Sequence, residues 1–143
     1  MQYYLSLGAN LGERESTIEN ALRLIEQQIG SLLRCSSFYY SEPWGFESQN
    51  DFCNLCCAVE SQLSPMEFLL TTQAIERSLG RTHKTIDANY SDRVIDIDII
   101  QAFDDDGNEI VCSTPTLTLP HPLWQQRDFV RIPLSEITPI TLG

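Results

Sequence analysis

The sequence has few basic residues and no long hydrophobic run. Its 143 residues include 9 Lys and Arg against 20 Asp and Glu, which gives a formal net charge of -11 at pH 7. A general nucleic-acid-binding protein normally carries a basic surface, so this composition argues against that class. No apolar run approaches the length of a membrane span, and the start, MQYYLSLGAN, lacks the basic and apolar regions of a signal peptide. We therefore expect a cytoplasmic protein without a nucleic-acid or membrane partner.

The cysteines lack the pattern of a disulfide scaffold. There are five, an odd number, without a regular scaffold spacing. Cys53 and Cys56 form a C-x-x-C within FCNLCCAVE, but this run is typical of a strand, where an offset of three sends two side chains to opposite faces. We expect buried, reduced thiols, with a zinc or redox role as the alternative.

The pattern of apolar residues predicts a single α+β domain over residues 1–143, because the chain is long enough for one core and too short for two ordinary domains. Strands are predicted at residues 2–8, 34–40, 52–60 and 93–100. One helix is predicted after the first strand, and a second begins at Ser64-Pro65-Met66-Glu67, a capping box with Pro at the first helical position. We expect Gly80 to end that second helix.

This order of elements, βαββαβ, matches the ferredoxin-like arrangement, in which two helices cover one face of an antiparallel sheet. The segment DDDGNE predicts a hairpin turn after the last strand. A short C-terminal extension rich in strands and loops is expected to follow.

Two aspartates interrupt the apolar run RVIDIDII at residues 93–100. Side chains alternate between the faces of a strand, so Asp96 and Asp98 share one face, with Cα atoms roughly 6.5 to 7 Å apart. Two like charges on one face repel unless water, a cation or a basic group offsets them. Such a pair suits Mg2+, which takes one or two carboxylates and completes its shell with water and phosphate oxygens. A strand with one wet face explains the same pattern, so both interpretations stand here.

The few basic residues are unevenly distributed along the chain. Four of the nine, Arg77, Arg81, Lys84 and Arg93, lie between positions 77 and 93. A locally basic segment on an acidic protein indicates a small anionic ligand, with a solvated loop as the plain alternative. Arg can bind phosphate oxygens through two hydrogen bonds, and His can donate a hydrogen bond or a proton. The candidate phosphate ligands are Arg81, His83, Lys84, Arg93, His121 and Arg127.

Other motifs for phosphate chemistry fit less well. GANLG after the first strand has neither the Lys nor the spacing of a P-loop. A nucleotidyltransferase with a strand Asp-x-Asp is expected to carry a Gly-Ser turn shortly upstream, and positions 82–92 offer none.

Several segments together resemble the 6-hydroxymethyl-7,8-dihydropterin pyrophosphokinase (HPPK) family of the folate pathway. In family order, they are LSLGANLG, SSFYYSEPWG, FCNLCCAVE, TQAIERSLGR, RVIDIDII and LTLPHPLWQQRDFVRIPL. The resemblance implies a ferredoxin-like fold and transfer of pyrophosphate from ATP to the pterin hydroxymethyl oxygen, with release of AMP. It also implies two Mg2+ ions bound with ATP. We expect a monomer whose partners are these two small substrates.

The resemblance also implies roles for individual residues. Asp96 and Asp98 match the magnesium-binding pair, and Arg81 and Arg93 match basic residues that engage the phosphates, so these four are the catalytic candidates. With the cations above, the ATP-binding candidates are Gln73, Arg81, His83, Lys84, Arg93, Ile99, Thr118, His121 and Arg127. The pterin-binding candidates are Ser41, Pro43, Trp44, Phe52, Asn54 and Phe129.

The pterin candidates suit a flat heteroaromatic ring, which needs aromatic faces and a few placed polar groups. Phe52 and Asn54 share one face of the third predicted strand, and a buried amide needs hydrogen-bond partners. From the residues alone, core packing explains Phe52 and Phe129 equally well. His83 departs from the family, in which many members carry Arg there. A non-catalytic ferredoxin-like module that binds a metal, a nucleotide or a protein is the alternative function.

Overall fold

An antiparallel sheet organises the fold in the computed structural model, which describes residues 1–10, 12–41, 51–80 and 94–138. The strands are β1 (Gln2–Ala9), β2 (Gly30–Cys35), β3 (Tyr39–Ser41), β4 (Phe52–Ser61), β5 (Asp96–Phe103), β6 (Cys112–Ser113) and β7 (Thr118–Leu119). The helices are α1 (Arg14–Gln28), α2 (Pro65–Ser78) and α3 (Asp128–Ile137), with a 3-10 turn at Trp124–Gln126 before α3.

The main sheet has the order β2, β4, β1, β5, and β3 pairs with β4 beside β2. All of these pairings are antiparallel. With α1 after β1 and α2 after β4, this is the ferredoxin-like arrangement, so the predicted fold class is confirmed. The short strands β6 and β7 form a separate two-stranded sheet.

Helix α2 begins as its sequence predicts. The Ser64 hydroxyl accepts a hydrogen bond from the Glu67 amide at 3.3 Å, and the Glu67 carboxylate accepts one from the Ser64 amide at 3.1 Å. These two bonds satisfy amide groups that a helix start otherwise leaves open. Gly80 follows the helix with a φ of +112°, a conformation that favours glycine at a helix end.

The two faces of the sheet carry separate apolar cores. The first core packs β1, β4 and β5 against α1 and α2 and includes Leu5, Leu7, Ile25, Phe68 and Ile97. The second core packs the other face against α3, and its buried members are Tyr4, Cys56, Ala58, Ile100, Val130, Leu134 and Ile137. The sheet is therefore covered on one face by two helices and on part of the other face by α3.

The C-x-x-C pair is split between these cores. Cys53 lies in the first core and Cys56 in the second, as expected for an offset of three on a strand. Burial raises the pKa of Cys53 to about 11 and that of Cys56 to about 12, so neither thiol is a ready thiolate. All five cysteines are free.

Three local features differ from the sequence prediction. The C-terminal extension contains α3, which the sequence reading did not predict. The single strand expected at residues 34–40 is two strands, and the first of them, β2, begins earlier than predicted, at Gly30. Just after β2 the Ser36 amide still donates to the Cys56 carbonyl at 2.8 Å, but the Cys56 amide donates to the Ser36 hydroxyl at 3.0 Å. The turn predicted after β5 forms, but the chain that returns from it pairs with the end of β5 through an isolated bridge between Phe103 and Glu109 rather than through a second strand.

None of the helices in the described residues is long and apolar enough to cross a membrane.

Candidate active site

The sheet face opposite α1 and α2, here called the site face, brings together residues from three strands. Gly8 on the central strand β1 lies opposite Asn54 on β4 and opposite Asp96 on β5. Residues directly opposite each other in an antiparallel pair project to the same face. Asn54, Gly8 and Asp96 therefore form a row across the site face.

A second polar row lies next to the first. Ser6 lies opposite Cys56 on one side and Asp98 on the other. The Cys56 sulfur is 3.6 Å from the carbonyl oxygen of Val130 in α3. Helix α3 therefore packs over this row at β4, where Val130 and Cys56 belong to the same core.

The aspartate pair has the geometry expected from its spacing. Asp96 and Asp98 are partly exposed, whereas Ile95, Ile97 and Ile99 are buried in the core beneath α1 and α2. Two carboxylates thus share the site face, as predicted. In residues 1–10, 12–41, 51–80 and 94–138, no group of three or more His, Cys, Asp or Glu side chains is placed to hold a metal ion.

A buried carboxylate from α2 supports the strand between the two aspartates. Glu76 is only 6% exposed, and its carboxylate accepts the amide hydrogen of Ile97 at 2.7 Å. Because Ile97 lies between Asp96 and Asp98, this bond fixes the backbone that carries both side chains. β5 ends the order of the main sheet, so the Glu76 carboxylate gives an edge amide a partner there.

Hydrogen bonds fix the orientation of the Asn54 side chain, which is 2% exposed. Its amide nitrogen donates to the Tyr39 carbonyl oxygen at 3.1 Å and to the Ser41 hydroxyl at 2.8 Å. A carbonyl oxygen only accepts, so the nitrogen must lie on that side. The amide oxygen of Asn54 faces Gly8 and can accept a hydrogen bond from a ligand.

His121 is held beside β5 with a defined tautomer. Its backbone amide donates to the Ile100 carbonyl oxygen at 2.8 Å, and its Nδ1 accepts the Leu123 amide hydrogen at 3.2 Å. An accepting Nδ1 places the ring proton on Nε2. Burial lowers the pKa of His121, the positive charge of Arg127 lowers it further, and Asp96 partly offsets both. His121 is therefore a neutral Nε2–H donor near neutral pH.

Arg127 links two groups of candidates. It is 6% exposed, and its guanidinium carbon lies 5.8 Å from the centre of the Phe129 ring. That distance permits a cation–π contact. The ATP candidate Arg127 and the pterin candidate Phe129 thus meet at the start of α3.

The family follows from comparison with known proteins. Residues 4–139 match the family model described as 7,8-dihydro-6-hydroxymethylpterin-pyrophosphokinase (HPPK). The chain belongs to the HPPK family.

Curated relatives of this HPPK-family chain cover nearly its whole length. The 2-amino-4-hydroxy-6-hydroxymethyldihydropteridine pyrophosphokinase of Porphyromonas gingivalis is 49% identical over 136 residues, which span 95% of this chain and 90% of that protein. The protein of the same name from Aquifex aeolicus is 37% identical, over 95% of this chain and 79% of its own length.

A solved structure described as HPPK-DHPS in complex with substrates has the same fold. Its TM-score is 0.67 at 15% identity, and the match covers 96% of this chain and 40% of that one. At this identity the match supports the fold alone.

Several candidate residues from the HPPK resemblance lie outside the two polar rows of the site face. Phe52 starts β4 on the site face beside Asn54, Gln73 is half-buried on α2, and Thr118 is exposed on β7, which packs beside β5. The Ile99 side chain points into the opposite core, so only its backbone is available to a nucleotide near the aspartates. Six candidates lie outside the described residues: Pro43, Trp44, Arg81, His83, Lys84 and Arg93.

Two residues of the HPPK candidate site were missed by sequence reasoning. Gly8 has a visible signal, since a glycine inside a predicted strand often marks a close approach by another group. Glu76 has one as well, because it lies on the buried stripe of α2 with Phe68, Thr72 and Ile75. A carboxylate rarely occupies such a stripe without a partner.

Proposed function

We propose that this chain catalyses the HPPK reaction. It transfers the pyrophosphoryl group of ATP to the hydroxymethyl oxygen of 6-hydroxymethyl-7,8-dihydropterin and releases AMP. The family match over residues 4–139 supports this assignment. The observation that carries it is the row of Asn54, Gly8 and Asp96, which puts a buried amide and a partly exposed carboxylate on one face of the sheet with only Gly8 between them.

Asp96 and Asp98 are the proposed ligands of two Mg2+ ions bound with ATP. Both carboxylates are partly exposed on the site face, and Mg2+ is bound in this way by one or two carboxylates, water and phosphate oxygens. When bound, Mg2+ neutralises phosphate charge and orients the transferred group. Glu76 keeps the two carboxylates in place through the Ile97 amide.

The phosphates of ATP are proposed to lie between the aspartates and the start of α3. His121 offers a neutral Nε2–H donor and Arg127 a positive charge. Gln73, Thr118 and the Ile99 backbone are proposed to line the rest of the nucleotide site. From the sequence, Arg81, His83, Lys84 and Arg93 are proposed to bind phosphate as well.

The pterin is proposed to lie at the Asn54 end of the row. The Asn54 oxygen accepts a ring N–H, while Phe52 and Phe129 stack on the ring. Ser41 contributes by holding the Asn54 amide in place. Pro43 and Trp44 are proposed from the sequence to complete this pocket.

In the proposed reaction the hydroxymethyl oxygen attacks the β-phosphorus of ATP. The new oxygen–phosphorus bond forms as the bond between the β-phosphorus and the α,β-bridging oxygen breaks, and AMP leaves with that oxygen. The hydroxyl proton is released, and no residue is assigned as its base. The protein acts by positioning two substrates and balancing charge.

A monomeric, cytoplasmic enzyme is part of the proposal. Asn54 and Asp96 lie on strands of one sheet, so one chain carries both ends of the row. The five free thiols fit a reducing compartment, which is also where ATP is abundant.

Calorimetry separates this enzyme from a non-catalytic module. We expect 6-hydroxymethyl-7,8-dihydropterin to bind at least about tenfold tighter when a nonhydrolysable ATP analogue and Mg2+ are present. The physical reason is that Arg127, on the phosphate side, contacts Phe129 on the pterin side. Pterin binding that is unaffected by the nucleotide, or absent, would count against the enzyme.

A further inference from the structure

Tyr40 lies between the two β3 residues that hold the Asn54 amide. That amide donates to the Tyr39 carbonyl oxygen at 3.1 Å and to the Ser41 hydroxyl at 2.8 Å. Tyr40 itself pairs with Cys53 on β4. Because Cys53 belongs to the first core and paired residues project to the same face, the Tyr40 side chain lies on the face opposite the site face. A contact that fixes Tyr40 from that side therefore also fixes both partners of Asn54.

The start of α1 contacts Tyr40 on this opposite face. The guanidinium carbon of Arg14 lies 5.5 Å from the centre of the Tyr40 ring, which permits a cation–π contact. The Tyr40 hydroxyl donates to the Glu15 carboxylate at 3.4 Å, and Nη2 of Arg14 lies 3.7 Å from the same carboxylate oxygen. The ring is thus contacted by Arg14 and its hydroxyl by Glu15.

Arg14 also reaches the start of β4. Its Nη1 donates a hydrogen bond to the Asp51 carbonyl oxygen at 2.7 Å. Asp51 directly precedes Phe52, which begins β4 and pairs with Ser41 of β3. The planar guanidinium can donate a hydrogen bond from its edge while its face rests on a ring. One side chain therefore contacts the chain next to each member of the pair that ends the β3–β4 ladder.

The helix itself does not explain why an arginine occupies this place. Arg14 is the first residue of α1, and a positive charge is disfavoured at the N-terminus of a helix. The contacts with Tyr40 and Asp51 are made outside the helix. The position of Arg14 is therefore better explained by what it does for β3 and β4 than by what it does for α1.

We infer that Arg14 is a positioning residue for pterin binding, which acts from behind the sheet by fixing β3 against the start of β4. This inference rests on the proposed function. With Tyr40 and Asp51 held, the Asn54 oxygen and the Phe52 ring keep one geometry on the site face before the pterin arrives. Such preorganisation improves affinity because less ordering is needed at the moment of binding.

Arg14→Ala tests the inference by removing both contacts. We expect the KM for 6-hydroxymethyl-7,8-dihydropterin to rise about 3- to 10-fold, while kcat changes less than about twofold. Affinity for the Mg2+-bound ATP analogue, measured by calorimetry without pterin, should be unchanged, because the proposed metal ligands lie on β5. Arg14→Lys keeps the positive charge and should recover part of the loss.

Two comparisons separate this role from a general effect of losing an arginine. Arg23→Ala is the matched control: Arg23 lies on the same helix, is exposed and donates a hydrogen bond to Asn20 of that helix. This variant should leave the pterin KM unchanged. In an Asn54→Ala background, Arg14→Ala should cost less than in the unmodified chain, because the amide that Arg14 helps to hold is already gone.

Hydrogen exchange separates failure of this inference from failure of the proposed function. In the absence of ligands, the backbone amides of β3 should exchange faster in Arg14→Ala than in the unmodified chain, and not in Arg23→Ala. Unchanged exchange in Arg14→Ala would overturn the inference even if the chain is active. If the unmodified chain binds no pterin, the proposed function fails, and the role of Arg14 in pterin binding fails with it.

Three kinetic or binding results would also overturn the inference. The first is an unchanged pterin KM in Arg14→Ala, and the second is an equal loss in the Asn54→Ala background. The third is a parallel loss of affinity for the ATP analogue in Arg14→Ala, which would assign Arg14 a structural role in the whole domain.

Discussion

At the scale of single residues, the orientation of one amide defines what the site can recognise. Both hydrogens of the Asn54 amide are directed at Tyr39 and Ser41, so the oxygen is presented to the space above Gly8. We therefore expect a ligand that binds here to present an N–H donor to this oxygen. Ser41, predicted from the sequence as a pterin contact, acts in this geometry by holding Asn54.

Variants of these two residues should differ in the size of their effect. Asn54→Ala removes the acceptor and should weaken pterin binding by about 1 to 3 kcal/mol. Ser41→Ala leaves the Tyr39 bond in place and should cost less, about 0.5 to 1.5 kcal/mol. Titration calorimetry in the presence of the ATP analogue and Mg2+ measures both. A larger loss in Ser41→Ala than in Asn54→Ala would contradict the proposed orientation.

The aspartate pair should be essential for turnover and not for folding. Asp96→Ala or Asp98→Ala removes a proposed metal ligand from a partly exposed position, so kcat should fall at least about 100-fold with an unchanged circular dichroism spectrum. Asp106→Ala is the control, because Asp106 is exposed in the turn after β5. Full activity in both Asp96→Ala and Asp98→Ala would contradict the proposed role of these residues in binding metal.

At the scale of elements, α3 is the part that connects the second core to the site. It places Arg127 and Phe129 at one end, and near its other end the Ile137 carbonyl accepts a bond from Arg34 at 2.8 Å. The Glu136 carboxylate accepts bonds from the Ser37 amide at 3.0 Å and the Ser37 hydroxyl at 2.8 Å. The helix is thereby attached to the end of β2 and to the segment that follows it.

The attachment through Glu136 should make stability depend on pH. Hydrogen bonds from the Ser37 amide and hydroxyl lower the pKa of Glu136 from its ordinary value of 4.5. Since the folded-state pKa lies below the unfolded one, the contribution is complete above about pH 4.5 and is lost as the pH falls through the folded value. Urea unfolding across that range should show a smaller acid-side loss in Glu136→Gln than in the unmodified chain. Identical pH profiles would contradict the attachment.

Element boundaries were predictable where local chemistry decides them. The capping box at Ser64 and Glu67 and the glycine after α2 fix that helix from nearby residues alone. Helix α3 was missed although Val130, Leu134 and Ile137 recur at helical spacing, because Pro133 lies inside it and Pro usually ends a helix. At the break between β2 and β3 the Cys56 amide donates a hydrogen bond to the Ser36 hydroxyl, a contact that no local pattern contains.

At the scale of the whole molecule, strand register assembles the site. Alternation along single strands was enough to place Asp96 with Asp98 and Phe52 with Asn54. Only the pairing of β1 with both β4 and β5 shows that Gly8 joins the two groups. The sequence thus predicted the chemistry at each end of the row, and the fold supplied the connection between them.

The most direct test of the account is to follow the β-phosphorus of ATP. The unmodified chain is incubated with Mg2+, 6-hydroxymethyl-7,8-dihydropterin and ATP labelled at the β-phosphorus, and the products are separated. We predict unlabelled AMP and labelled pterin diphosphate in equal amounts, with neither product when the pterin is omitted. Formation of ADP, or release of AMP without a labelled pterin product, would contradict pyrophosphoryl transfer by this chain.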